Sequence, residues 1–200
     1  MVIKSQGKAN EATESEKARI PPGQRLVKNW PVLTYGSVPR IDLGQWTFSV
    51  GGLVEEERTF TWKEFTGLPQ VTITSDAHCV TNWSRLDNEW EGVATRELAK
   101  LARPKPEARF VMVHCYGGYS TNLRLEDFLG EDALFALKHD GQPLPAEHGG
   151  PLRLVVPKLY FWKSAKWVRG VFFTDRERPG FWEMYGYHMR GDPWKEERYS

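Results

Sequence analysis

Short apolar runs separated by turns dominate the pattern of hydrophobic and polar positions along the chain. Apolar and polar residues alternate over residues 46–50, which is typical of a strand with one buried face. Other β-branched or continuous apolar runs predict further strands at residues 71–74, 110–113, 152–156 and 167–173. Many short strands with few helices between them predict an α+β domain built on a mixed sheet.

Helices are predicted only between these strands. Residues 61–64 (Thr-Trp-Lys-Glu) form a capping box, in which the first and last side chains each accept a backbone N–H, so a short helix begins there. The apolar spacing of residues 95–102 predicts a second helix, and residues 125–128 indicate a helical turn. Residues 133–138 are ambiguous between helix and strand.

The two ends of the chain differ from its middle. Residues 1–20 are polar and charged, which predicts a flexible or loosely docked N-terminal arm, followed by a single domain over residues 21–200. The segment after residue 175 is rich in Trp, Tyr, Gly, Arg and Glu, and we expect it to pack over the core. Part of it could instead form a docking surface for a partner.

Composition and charge restrict the class of function. Lys and Arg number 27 against 26 Asp and Glu, which argues against a nucleic-acid-binding protein. No apolar run approaches the ~20 residues of a membrane span. The first eight residues contain neither an apolar signal region nor a twin arginine, which predicts a cytoplasmic protein whose two cysteines are thiols.

One of those thiols follows the strand at residues 71–74, where a polar segment begins at residue 75 and contains His78 and Cys79. A free cysteine is often only a small buried residue, so packing and function are both open for Cys79. The other, Cys115 beside His114, is interpreted as a half-buried small residue. A zinc site made from both pairs is set aside, because adjacent strand residues point to opposite faces and the usual Cys-x-x-Cys spacing is absent.

Four motifs, in the same order, resemble those of the sulfite oxidase-like family of molybdopterin-dependent oxidoreductases. They are Cys79-Val80-Thr81-Asn82-Trp83-Ser84, Trp90-Glu91-Gly92-Val93, Gly117-Gly118-Tyr119-Ser120-Thr121, and the run from His148 to Pro157 that continues at residues 163–167. Together they cover about residues 28–175. The resemblance implies that family's molybdopterin-binding fold, with a barrel-like core and short helices, and a molybdenum–molybdopterin cofactor.

The resemblance also implies roles for individual residues. The Cys79 thiolate would bind molybdenum, as suits a soft ligand. Tyr119 matches a tyrosine that faces the metal, where its phenol can donate a hydrogen bond to a ligand or substrate oxygen, and His78 is expected near the open coordination position. The residues expected to contact the pterin or its phosphate are Asn29, Trp30, His148, Arg153, Ser164, Ala165 and Lys166.

The physical basis for these cofactor contacts differs between segments. The basic and polar run at residues 158–166 makes sense as an anion cradle, since Lys, Ser and backbone donors neutralise and orient a phosphate. For Asn29 and Trp30, the ordinary start of a strand is an equally good interpretation.

Departures from the family pattern favour one direction of reaction. Trp83 and Ser84 stand where sulfite-oxidising members have two arginines, and a sulfite dianion needs fixed positive charge. The reductase branch, with Cys-x-x-x-Trp-Ser, matches better. We therefore expect a molybdenum-dependent oxidoreductase that transfers an oxygen atom to or from a small-molecule substrate in a two-electron reaction, in the manner of a reductase.

Electrons would pass to or from a separate haem-, flavin- or quinone-linked partner, since the chain has no Cys-x-x-Cys-His run for covalent haem. Two alternatives stay open at this point. One is a cofactor-free binding domain that retains the fold. The other is a thiol enzyme in which Cys79 uses His78 or His114 as a base.

Overall fold

The computed structural model describes residues 12–200 and contains two β-sheets joined by short helices. In chain order, the strands of this part of the chain are β1 (Arg25–Leu26), β2 (Thr47–Gly52), β3 (Arg58–Thr61), β4 (Val71–Cys79), β5 (Trp83–Ala94), β6 (Phe110–Cys115), β7 (Ser120–Arg124), β8 (Leu134–His139), β9 (Gln142–Pro143), β10 (Arg153–Val155) and β11 (Val168–Thr174). The α-helices are α1 (Glu14–Lys17), α2 (Trp62–Thr66), α3 (Thr95–Ala102), α4 (Leu125–Phe128) and α5 (Phe181–Met184). Short 3-10 helices cover Tyr116–Gly118, Ala146–His148 and Pro193–Lys195.

Both sheets mix parallel and antiparallel pairs. The six-stranded sheet has the order β1-β5-β8-β10, with β4 paired to β5 and β9 paired to β8, and the five-stranded sheet has the order β3-β2-β11-β6-β7. β1 runs parallel to β5 and β2 runs parallel to β11, whereas the other pairs are antiparallel. The predicted α+β class with mixed sheets is confirmed, and the main apolar core is formed by side chains of both sheets.

The main core contains side chains from both sheets. Phe48 of β2 and Phe135 of β8 are fully buried, and their ring centroids lie 5.1 Å apart. Burying a side chain of this size stabilises the fold by roughly 1.5–3 kcal/mol. Cys79 belongs to a separate, smaller cluster with Trp83 and Tyr160, so it lies outside this core.

The helices follow the predicted local signals. Thr61 and Glu64 form the expected capping box, with the Thr61 N–H 2.8 Å from the Glu64 carboxylate, and the helix ends at Gly67. Helix α3 spans the predicted residues 95–102 and buries Leu98, Ala99 and Ala102. The ambiguous run at residues 133–138 is strand β8, because its apolar residues are buried on both faces of a central strand.

Strand β4 differs from its prediction, which ended at residue 74 and placed residues 75–79 in a polar loop. It continues to Cys79 in antiparallel pairing with β5, with a register shift between Ser75 and Ala77. In this part of the strand both Asp76 carboxylate oxygens accept hydrogen bonds from Arg19, at 3.0 and 2.5 Å. Cys79 is therefore the last residue of a strand and does not lie in a loop.

Residues 1–11 of the predicted N-terminal arm lie outside the described residues. The rest of that segment contains α1 and Arg19, whose guanidinium attaches it to β4 and also pairs with Asp87 at 2.6 Å. The division of the chain at residue 21 stays a prediction. Across residues 12–200, helices are too short or too polar to cross a bilayer.

Candidate active site

A cavity of about 360 Å³ lies where distant parts of the chain meet beside Cys79. All of the predicted site residues except Asn29 and His78 line it: Trp30, Cys79, Tyr119, His148, Arg153, Ser164, Ala165 and Lys166. These side chains come from the segment after β1, the end of β4, the loop before β7 and the region around β10. The fold therefore brings most of the separate motifs together at one place.

Cys79 occupies the last position of β4, and its thiol is mostly buried at the cavity wall. Burial raises the pKa of this thiol, while the Thr81 hydroxyl, which donates to Sγ at 3.2 Å, lowers it. A turn follows directly, with the Asn82 N–H donating to the Cys79 carbonyl at 3.0 Å. Metal binding deprotonates a thiol outright, so this site suits a ligand better than a free nucleophile.

His78 lies outside the cavity, so the prediction that it stands near the reacting position differs from the structure. As the neighbour of Cys79 in a strand, its side chain points to the other face. Its Nδ1 lies 2.8 Å from the Ser84 hydroxyl, and burial lowers its pKa from 6.5 to about 4. His78 is thus a neutral, buried residue rather than a base for Cys79.

The burial of His78 predicts a pH dependence of stability. Because its folded-state pKa is lowered, the unfolded chain binds more protons, and stability is lost as the pH falls from 6.5 to about 4. The shift corresponds to about 3 kcal/mol. Urea unfolding across this range should show a smaller loss for His78→Gln than for the wild type. Equal losses in both proteins would contradict the assignment.

Arg153 carries a buried positive charge in β10, with 1% of its surface exposed. Its two terminal nitrogens donate to the carbonyl oxygens of His148 at 2.6 Å and Ser164 at 2.7 Å. Its Nε has no hydrogen-bond partner, and no carboxylate of residues 12–200 lies within 4 Å of it. Burial lowers the pKa of Arg153 to about 9, which leaves it charged and uncompensated at pH 7.

Lys166 is a second cation at the cavity. Its Nζ donates to the carbonyls of Leu33 at 2.8 Å and Glu147 at 2.6 Å and to the Thr34 hydroxyl at 2.9 Å. Burial, reinforced by Arg153, lowers the pKa of Lys166 to about 8. Both cations are therefore held in place by neutral oxygens, and their charge is available to a bound anion.

Lys163 belongs to the predicted anion cradle but points elsewhere. Its Nζ lies 2.6 Å from the Glu183 carboxylate, with both side chains fully buried, and it also donates to the Asn122 side chain at 2.7 Å. Glu183 also accepts hydrogen bonds from the Trp162 indole N–H at 2.8 Å and from the Thr121 hydroxyl at 3.5 Å. The pair thus connects the C-terminal segment to the cavity wall formed by Trp162.

Tyr119 lines the cavity, but its hydroxyl donates its single hydrogen to the Trp162 carbonyl at 2.7 Å. The expected donation to an oxygen in the cavity therefore differs from the structure. Burial holds the pKa of Tyr119 well above its ordinary value. The backbone before it turns through Gly117 and Gly118 at φ 77° and 81°, a region that favours glycine.

Aromatic rings form much of the remaining wall. Trp30 stacks on His148 with ring centroids 3.9 Å apart, and the buried Nδ1 of His148 has no partner within the described chain. Further rings were not predicted as site residues: Tyr35, Trp83, Phe161, Trp162, Trp167, Trp182 and Tyr187. For Trp182 and Tyr187, the one signal in the sequence was the clustering of Trp and Tyr late in the chain.

The comparisons with known proteins agree with this geometry. The family model of the oxidoreductase molybdopterin binding domain matches residues 35–182. The chain belongs to this family. Its match includes Cys79, Arg153 and Lys166, and the predicted membership among the sulfite oxidase-like molybdopterin oxidoreductases is confirmed.

Relatives of this molybdopterin-binding chain include the uncharacterised oxidoreductase YuiH of Bacillus subtilis (strain 168), 47% identical over 195 residues, which covers 97% of this chain and 98% of YuiH. The protein-methionine-sulfoxide reductase catalytic subunit MsrP of Ralstonia nicotianae is 27% identical over 169 residues, covering 74% of this chain and 51% of MsrP. The sulfane dehydrogenase SoxCD from Paracoccus pantotrophus has a TM-score of 0.64 at 18% identity, covering 88% of this chain and 56% of that chain. The chain spans about half the length of the last two proteins. The structural likeness confirms the predicted fold, and the family confirms a molybdenum-dependent oxidoreductase with a molybdenum–molybdopterin cofactor.

The residues of this family member fit that cofactor. An uncompensated guanidinium in a buried site is unfavourable, and an anionic ligand in the cavity would supply its counter-charge. The unpartnered Arg153 Nε and His148 Nδ1 mark polar atoms that a ligand can satisfy. Residues 12–200 contain no cluster of three or more His, Cys, Asp or Glu side chains that could hold a metal, so a metal bound by Cys79 would take further ligands from a non-protein group. A pterin dithiolene is such a group.

Proposed function

We propose that the protein catalyses two-electron oxygen-atom transfer with Cys79 as the protein ligand of molybdenum. The observation that carries the proposal is the single thiol at the wall of a cavity that also contains two uncompensated cations, Arg153 and Lys166. When bound, the cofactor supplies the redox chemistry in which an oxygen atom passes between it and the substrate. The chain supplies the thiolate ligand, the counter-charge and the enclosure.

Each part of the enclosure has a separate task in this proposal. Arg153 and Lys166 hold the anionic parts of the cofactor through charge-assisted hydrogen bonds. The rings of Trp30, Trp162 and Trp182 exclude water, which strengthens these electrostatic interactions. Tyr119 fixes the Trp162 carbonyl and keeps that ring in the wall.

The positively charged side chains that line the cavity support a reductase rather than a sulfite-oxidising enzyme. Within residues 12–200, Arg153 and Lys166 are the two Arg or Lys side chains that line the cavity, and the proposal assigns both to the cofactor. No further cation is left there for an oxyanion such as sulfite. A neutral oxygen donor needs no additional cation, so it suits this site better than an anion does. Its reduction takes two electrons and two protons and releases the oxygen atom as water.

The electrons come from a separate haem-, flavin- or quinone-linked partner in this proposal. MsrP, a relative, is a catalytic subunit by its name, which supports a division between catalysis and electron supply. The cytoplasmic location stays a prediction from the sequence.

The test is elemental analysis and turnover of the wild-type protein from a host that makes molybdopterin. We expect about one molybdenum per chain, and oxidation of a reduced viologen dye with a neutral sulfoxide or N-oxide but not dye reduction with sulfite. Sulfite oxidation at a faster rate than any reduction would contradict the proposed direction. Protein free of both molybdenum and pterin would overturn the proposal as a whole.

A further inference from the structure

The turn after β4 determines where the Cys79 thiol points. It contains Val80, Thr81 and Asn82, and Asn82 adopts the left-handed region at φ 68°. The Asn82 N–H closes the turn on the Cys79 carbonyl. A residue at the end of a strand keeps its direction only while the turn that follows stays closed.

Two contacts from the N-terminal side satisfy part of this turn. Gln24 donates its side-chain amide to the Cys79 carbonyl at 3.1 Å, and the Arg25 N–H donates to the Asn82 carbonyl at 3.0 Å. Two further oxygens of the turn, the Val80 carbonyl and the Asn82 side-chain oxygen, accept hydrogen bonds from one donor in the C-terminal segment.

Arg198 supplies that donor from more than a hundred residues away. Its Nη1 lies 2.6 Å from the Val80 carbonyl oxygen and 2.9 Å from Asn82 Oδ1. Its guanidinium lies 5.0 Å from the ring centroid of Tyr160, and its carbonyl accepts the His188 N–H at 3.1 Å. Among residues 12–200 no carboxylate lies within 4 Å of this guanidinium, so its charge is directed to the turn.

We infer that Arg198 is a positioning residue for Cys79. It fastens the turn with two charge-assisted hydrogen bonds, which are about twice as strong as neutral ones. The C-terminal segment thereby orients the sulfur that, by the proposed function on which this inference rests, ligates molybdenum. Arg198 itself does not line the cavity, and its side-chain hydrogen bonds are with the turn.

Hydrogen–deuterium exchange of the cofactor-free protein tests the inference without reference to activity. In Arg198→Ala the amides of residues 79–84 should exchange about tenfold faster or more, while exchange in β6 and β11 is unchanged. Arg198→Lys should restore part of the protection. The matched control is Arg176→Ala, which removes an exposed tail cation whose contact is with Asp175 at 3.9 Å.

The loaded protein gives the second measurement. The electron paramagnetic resonance signal of Mo(V) should change in Arg198→Ala and not in Arg176→Ala, because only the former alters the orientation of the sulfur ligand. If Arg198→Ala does not fold, the Asn82→Gly variant tests the inference instead. This substitution removes the side-chain oxygen that accepts from Arg198, and glycine keeps the left-handed backbone conformation. It should give a smaller increase in exchange at residues 79–84.

Unchanged exchange at residues 79–84 in a folded Arg198→Ala protein would overturn the inference. So would unchanged exchange in Asn82→Gly where Arg198→Ala does not fold. Wild-type protein free of both molybdenum and pterin would overturn the proposed function instead, and the exchange result would still decide whether Arg198 holds the turn. The two failures are therefore distinguishable.

Discussion

We expect Cys79→Ser to retain less than about one per cent of wild-type oxidoreductase activity while it keeps its fold. Replacing a residue that merely supports a metal ligand typically reduces activity or affinity by about 10–100-fold, so replacement of the ligand itself has a larger effect. The serine hydroxyl is a hard oxygen donor and a poor substitute for a soft thiolate. Pterin should remain bound, because Arg153 and Lys166 are unchanged.

The measurements are turnover with reduced viologen, metal and pterin content, and the visible absorption of the loaded protein. Cys115→Ser is the matched control: this second thiol is also buried, but it does not line the cavity. Its activity should stay within a few-fold of the wild type. Full activity of Cys79→Ser would exclude thiolate ligation by this residue.

The second large effect is expected for Arg153→Met, which should weaken retention of the cofactor by about 100-fold or more. Removing one partner of a buried, hydrogen-bonded charge pair lowers affinity by about 2–5 kcal/mol. The variant should emerge from gel filtration with little pterin or molybdenum. Arg176→Met, which removes an exposed arginine from the tail, should retain both.

The stability of the cofactor-free protein separates this explanation from misfolding. Removing the uncompensated buried charge relieves a desolvation penalty of roughly several kcal/mol. The substitution also leaves the His148 and Ser164 carbonyls without a donor, which costs about 1–3 kcal/mol each. These effects oppose each other, so the melting temperature of cofactor-free Arg153→Met should stay close to the wild-type value. A large fall in that temperature would assign Arg153 to the fold instead of the cofactor.

Much of the fold could be predicted because its signals are local. The capping box at Thr61, the spacing within α3 and the apolar strand runs each depend on residues within one short segment. The motif residues that line the cavity could be predicted from the resemblance of their segments. Their meeting at one cavity depends on the sheet order, which local pattern does not specify.

The errors have physical reasons of the same kind. His78 was expected beside Cys79 at the reacting position, but the two are consecutive residues of β4 and face opposite sides of the strand. Lys163 resembled its neighbour Lys166 in sequence, yet a buried carboxylate from α5 holds it away from the cavity. Trp182 and Tyr187 were missed because only tertiary contact brings the tail to Cys79.

The position of Trp182 and Tyr187 in the cavity wall has a consequence for the order of events in the cell. Until the chain has been synthesised past Tyr187, part of this wall is missing, so the complete cavity cannot form. A cofactor that depends on these rings for its enclosure can therefore be held only after both residues have left the ribosome. Without a bound anion the buried Arg153 charge is unbalanced, and a ligand that supplied the counter-charge would stabilise the folded form against unfolding and proteolysis.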